Sequence, residues 1–249
     1  MPPMHTDIVD LREFYQSALG QIARRAIRRR LRELWPSGAG QRMVGIGYAV
    51  PYLRPYLSEA ERVIALMPAG QGVTYWPADG PGLTALTCET ELPLADLSVD
   101  RVLLIHGLEG SEQVRPMLRD IWRVLAGGGR LLVVVPNRRG LWARADSTPF
   151  GQGHPYSVSQ VKQVLRDTLF FPERSACALF TPPVRSRLSM AWAPAWEEIG
   201  SRWFRAIAGV TMIEASKQLF AGVARRAEQP VTRRLILPVP GGAPQLRRE

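Results

Sequence analysis

The sequence predicts an α/β fold: a doubly wound, mostly parallel sheet with an N-terminal helix and a C-terminal helical extension. Three observations carry this reading. The runs Val102-Leu-Leu-Ile105 and Leu131-Leu-Val-Val-Val135 are apolar without alternation, as strands buried on both faces should be. Strand-like and helix-like segments alternate from about residue 40 to residue 180, the rhythm of successive βαβ units. A Gly-x-Gly turn, Gly45-Ile-Gly47, follows the first strand, where an α/β sheet can bring its backbone against a ligand.

Bulk properties set the frame. The chain has 249 residues, of which 46% are apolar and 22% charged, enough for a proper core and unlike a disordered chain. Cys88 and Cys177 are too few for a disulfide framework or a metal cluster, so no metal is expected and a reducing cytoplasm fits. No apolar run approaches the ~20 residues that span a bilayer. The N-terminus lacks the charged-then-apolar pattern of a secretory signal, so none is expected there. The net charge of +10 favours anionic partners such as RNA, acidic proteins or lipid. An arginine-rich, soluble protein without such a partner accounts for the charge equally well.

Residues 1–39 are read as an N-terminal basic segment built on one amphipathic helix over 8–34. Its apolar positions recur every three or four residues, from Leu11, Phe14 and Tyr15 to Leu31 and Leu34. Arg24, Arg25, Arg28, Arg29, Arg30 and Arg32 lie between them, and Pro36 with Gly38 stops the helix. The basic face is either the solvated side of a packed helix or a contact for nucleic acid or membrane.

Residues 40–181 form the predicted core. Strands are expected at 42–46, 62–66, 83–88, 101–105 and 130–135, with a further candidate at 175–180. Val114 to Leu125 reads as a helix closed by Gly127-Gly-Gly129, and Ser157 caps another helix through Thr168. Residues 182–240 form an aromatic-rich extension packed on or beside the core, with Trp192, Trp196, Trp203 and Phe204 close together. A helix from about Pro194 to Arg226 is expected there, either covering the sheet or offering a surface to another subunit. Residues 241–249 read as a frayed tail.

The central block runs Glu91-Leu-Pro-Leu-Ala-Asp-Leu-Ser-Val-Asp100, then Arg101-Val-Leu-Leu-Ile-His106-Gly-Leu-Glu109. Leu118-Arg-Asp-Ile-Trp-Arg-Val-Leu-Ala-Gly-Gly-Gly-Arg-Leu-Leu-Val-Val-Val-Pro136-Asn137 follows it. In this order the motifs resemble the class I S-adenosylmethionine-dependent methyltransferases, over roughly residues 40 to 180. The resemblance implies a Rossmann-like methyltransferase core and S-adenosylmethionine as cofactor.

It also assigns positions. Gly45, Gly47, Tyr48 and Ala49 fall on the loop under the cofactor's amino-acid part. Met67 and Pro68 end the second strand, where the ribose is usually held. Cys88, Glu89 and Thr90 fall beside the adenine, and His106, Gly107 and Leu108 on the loop after the fourth strand. Three positions depart from the pattern: Met43, Met67 and Cys88 stand where the family usually carries acids. A carboxylate on a ribose diol makes charge-assisted hydrogen bonds of roughly 1.5–3 kcal/mol each. Either other groups replace them in a working enzyme, or the domain is a pseudoenzyme acting as a partner-binding subunit.

Methyl transfer from a sulfonium depends mainly on positioning, and a base is needed only where the acceptor must lose a proton early. His106 and Asn137 are the candidates for catalysis, at the sheet edge where α/β ligands bind. A cofactor-lining or structural histidine and a turn-capping asparagine are the plain alternatives. The long loop from Asn137 to Ser157 offers Arg138, Arg139, Arg144, Trp142, His154 and Tyr156 to an anionic or stacked substrate, or is an ordinary surface loop. RNA or protein is the slightly favoured acceptor. Further candidates are RNA on the basic N-terminal helix and, in a heterodimer, a small activator or partner subunit on the Trp-rich region.

Overall fold

The computed structural model describes residues 6–184, 186 and 192–218. Its sheet has seven strands: β1 (Arg42–Gly47), β2 (Arg62–Pro68), β3 (Thr84–Thr87), β4 (Val99–Ile105), β5 (Leu125–Pro136), β6 (Phe170–Ala178) and β7 (Val210–Lys217). They lie in the order β3-β2-β1-β4-β5-β7-β6. The first five are parallel, and β7 runs antiparallel between β5 and β6. This is the predicted doubly wound, mostly parallel sheet.

Its strands feed two cores by strict alternation. Met43, Leu103, Ile105, Leu132 and Val134 face α1 (Ile8–Gln16), α2 (Ala18–Leu34) and α3 (Val50–Leu53). Val44, Ile46, Val102, Leu104, Leu131 and Val133 face α4 (Val114–Val124) and α5 (Val158–Asp167). Because both faces are covered, the strands need no polar side, which explains their unbroken apolar runs.

Several expectations are corrected. The helix over 8–34 is broken at Ser17, an extended residue at φ −67°, ψ 158° whose hydroxyl accepts from the Gly20 amide. A serine held by its own side chain in this way ends one helix and caps the next. Gly127-Gly-Gly129 does not follow α4 as a C-terminal stop. It lies inside β5, whose amino-terminal half begins immediately at Leu125. The predicted helix from Pro194 to Arg226 extends only as α6 (Ala193–Trp203), followed by a 3-10 turn at Arg205–Ile207. Residues 210–217 form β7 instead, because Val210, Met212, Ile213 and Ala215 fill both cores from a central strand. Positions Leu219 to Arg226 of that expectation lie outside the described residues. No described helix is long and apolar enough to cross a membrane.

Candidate functional site

The carboxyl ends of the parallel strands converge where order reverses between β1 and β4. In open α/β sheets this is the crevice for ligands. Gly47 ends β1 at φ +77°, and His106 follows β4 in the left-handed region at φ +52°. A Cβ on Gly47 would stand 2.2 Å from the Ile105 carbonyl oxygen. Gly47 thus lets the turn after β1 close onto β4. A Cβ on Gly45 would meet Ala49 and Leu53, each at 2.5 Å, so this glycine seats α3 on the strand.

His106 is buried and makes contacts from several elements. Its Nε2 lies 2.7 Å from the Tyr15 hydroxyl of α1, which in turn accepts from the Tyr52 hydroxyl at 2.8 Å. Gln71 Nε2, from the loop after β2, donates to the His106 carbonyl at 2.8 Å. The ring packs on Phe150 with centroids 4.9 Å apart, and Nδ1 lies 3.4 Å from Glu109 Oε1. Burial pushes the Tyr15, Tyr48 and Tyr52 phenols up from their ordinary range, so all three stay protonated at neutral pH.

The candidate cofactor residues divide into two groups. Tyr48, Ala49, Met67, Pro68, His106, Gly107 and Leu108 are brought together and buried. Cys88 is exposed, with Glu89 and Thr90 half-buried beside it at the open edge of the sheet. The Thr90 hydroxyl lies 3.2 Å from the Cys88 sulfur and holds that thiol below its usual range. Ser111 Oγ donates to Glu89 Oε1 at 2.8 Å. The glycine turn, the β2 end and the loop after β4 thus border the crevice, with Cys88 to Thr90 toward its open edge. The space above Gly47 and His106 is filled by α1, whose Tyr15 ring packs 5.6 Å from Tyr48 and 5.8 Å from His106. A ligand seated against Gly47 and His106 would displace the Tyr15 ring.

The remaining candidates are placed less favourably for chemistry. Asn137 is buried and its side-chain amide donates to the Ala206 and Ala208 carbonyls, both at 2.9 Å. It stitches the end of β5 to the segment before β7, which accounts for its place without catalysis. Trp142 is a core residue, 1% exposed, with its indole donating to the Thr181 carbonyl at 2.7 Å. It is not a platform for a substrate. Arg138, Arg139, Arg144 and His154 are exposed and Tyr156 half-buried. Tyr15, Tyr52, Gln71 and Glu109 have no place among the sequence-based site residues. Tyr15 is masked there by its apolar helical spacing, whereas Glu109, three residues after His106, was a legible signal.

Residues 44–133 match the family model described as "Methyltransferase domain". The chain matches no curated protein in sequence. Its fold is similar to an S-adenosylmethionine-dependent methyltransferase from Mesorhizobium loti, at 17% identity and TM-score 0.56, over 75% of this chain and 95% of that one. An Archaeoglobus fulgidus S-adenosylmethionine-dependent methyltransferase is similar at 17% identity and TM-score 0.55, over 78% and 94% of the two chains. A putative methyltransferase of Haloferax volcanii, solved in complex with the Trm112 methyltransferase activator, is similar at 16% and 0.54, over 74% and 85%. Residues 44–133 therefore match a methyltransferase domain, and the chain has the fold of S-adenosylmethionine-dependent methyltransferases.

Proposed function

We propose that the chain is an enzyme that takes S-adenosylmethionine at the carboxyl edge of β1, β2 and β4 and methylates an RNA or protein acceptor. The observation that carries this reading is the convergence of the glycine turn, the β2 end at Met67–Pro68 and the His106–Leu108 loop at one crevice. The cofactor supplies an already activated methyl group. What this chain must supply is alignment and exclusion of water, and α1 is the element positioned to close over the crevice. Exposed Arg25, Arg28 and Arg29 on α2, with the net charge of +10, support a polyanionic or acidic acceptor. The cytoplasm fits a chain whose two cysteines form no disulfide.

A second reading has its own observation. Met67 is fully buried, no acid stands at the β2 end, and Tyr15 fills the crevice. These favour a catalytically silent domain that binds a partner. The surface available for one is the stripe of Trp192, Trp196, Ile199 and Trp203 along α6, all exposed. A small activator subunit is the partner we favour, as one accompanies the similar Haloferax volcanii protein. Calorimetric titration of the full chain with S-adenosylmethionine and S-adenosylhomocysteine separates the readings. Heat of binding supports the enzyme, and no heat up to millimolar ligand, with and without a copurifying partner, removes it.

A further inference from the structure

Glu109 has no role in the assignments above, although its environment demands one. It is 6% exposed, and neither carboxylate oxygen has a hydrogen-bond partner among the described residues. A buried carboxylate without compensation is costly. His106 Nδ1 lies 3.4 Å from Glu109 Oε1, long for a hydrogen bond but close enough for electrostatic coupling in a dry site.

Proton accounting on the other side of the ring fixes its tautomer. The Tyr52 hydroxyl donates to Tyr15 Oη, so the single proton of Tyr15 points elsewhere. The group 2.7 Å away is His106 Nε2. Nε2 therefore accepts, and a neutral ring carries its proton on Nδ1, toward Glu109. The ring is also held from outside its own loop. Phe150 packs against it, Gln71 ties its carbonyl, and its φ of +52° is one that non-glycine residues adopt only under constraint.

We propose that Glu109 is a positioning residue that holds His106 as the Nδ1–H tautomer, making Nε2, which Tyr15 occupies in this structure, the proton acceptor of the site. Only the use of that acceptor rests on the methyl-transfer reading. Once Tyr15 withdraws, a proton leaves the heteroatom of the methyl acceptor for Nε2, and the bonding pair stays on the heteroatom. The positive charge gained by the ring faces the Glu109 carboxylate.

The test is long-range proton–nitrogen correlation spectroscopy on the full chain labelled at its histidine nitrogens. The sequence holds His5, His106 and His154, and His106 is identified by the signal lost in His106→Asn. The wild type should show the Nδ1–H pattern at His106. Glu109→Gln keeps an oxygen acceptor for Nδ1–H, so the tautomer should persist. Tyr15→Phe should leave Nδ1–H in place, and adding Glu109→Leu to it, which removes both partners of the ring, should shift the ring toward Nε2–H. An Nε2–H wild type, or a flip to Nε2–H in Glu109→Gln or in Tyr15→Phe, overturns the proposal. If the double variant does not fold, the other measurements still decide. None of these readouts uses methyl transfer, so a chain that fails to bind S-adenosylhomocysteine sinks the functional reading separately.

Discussion

The Trp35 indole donates to Glu214 Oε1 at 2.8 Å, joining the end of α2 to the central strand β7 across the floor of the sheet. Glu214 is wholly buried, and Arg174 Nε meets its other oxygen at 2.5 Å. Arg174 also donates to the Leu34 carbonyl at 2.6 Å, so one ionic cluster fastens helix to sheet opposite the crevice. Arg174 is about half exposed and Arg130 stays 3.5 Å from Glu214 Oε1, so losing Arg174 costs far less than breaking a fully buried pair, about 1 kcal/mol. Arg174→Met should therefore destabilise by about that much, and Trp35→Phe by about 1–2 kcal/mol, the loss of one hydrogen bond to a charged group. Urea denaturation checks the order. Equal midpoints for Arg174→Met and wild type would show that Glu214 is compensated by other groups.

The seat of α1 predicts how cofactor affinity responds to Tyr15. Replacing it with alanine removes the hydrogen bond to His106 and the ring burial that hold the crevice shut. Together these stabilise the closed state by at least about 1–2 kcal/mol. If α1 must leave before the cofactor enters, Tyr15→Ala should tighten S-adenosylhomocysteine binding roughly tenfold, because less closed state competes. Calorimetry on wild type and variant gives the ratio. Weaker binding by the variant would make Tyr15 a cofactor contact and α1 part of the site.

Gly47 illustrates what the sequence conveyed and what it withheld. Its place behind an apolar strand marked the crevice, and the strand runs from Val44 to Val135 were legible because burial on both faces leaves an unbroken apolar signature. Its reason was not legible. The Gly-x-Gly pattern reads as room for a ligand, whereas the missing Cβ is needed against the Ile105 carbonyl. Non-local facts of this kind, including Tyr15 reaching His106 across 91 positions, leave no local pattern. The same limit hid β7, since a run such as Val210-Thr-Met-Ile-Glu-Ala-Ser-Lys217 fits a helix or a strand until its neighbours are known. Gly47→Ala should accordingly act on stability before it acts on binding. Gly128→Ala, also at positive φ but with nothing within 4 Å, should cost only backbone strain of about 1 kcal/mol. Thermal melts that rank Gly128→Ala as the more damaging would contradict the packing assigned to Gly47.

Acid sensitivity follows from Glu59. The Arg32 guanidinium and the Gly38 amide hold its carboxyl down at about 2, tying α2 to the turn before β2. A depressed folded-state value stabilises above the unfolded value near 4.5, and that contribution disappears as pH falls toward about 2. Asp100, lowered chiefly by Arg42, adds a loss of the same sign. The denaturation midpoint should therefore drop between about pH 4.5 and 2. Glu59→Gln should show a shallower drop over that window, and an unchanged slope would mean that Glu59 is not among the groups being titrated.

The arginines of α2 separate into two sets with different consequences. Arg30 binds Glu33 and the Cys177 carbonyl, and Arg32 is held by Glu59 and stacks 4.3 Å over Tyr56. Arg25, Arg28 and Arg29 are exposed instead. If this face meets RNA, each phosphate contact releases counterions and steepens the salt dependence by about 0.7–0.9 in log–log slope. Replacing Arg25, Arg28 and Arg29 together with glutamine should weaken binding and lower that slope by about two. Arg32→Gln should lower thermal stability and leave the slope as it was. The pair of variants distinguishes a binding face from helix-packing arginines. A triple variant that binds RNA with the wild-type slope would remove α2 as the contact, and with it the chief support for a polyanionic acceptor.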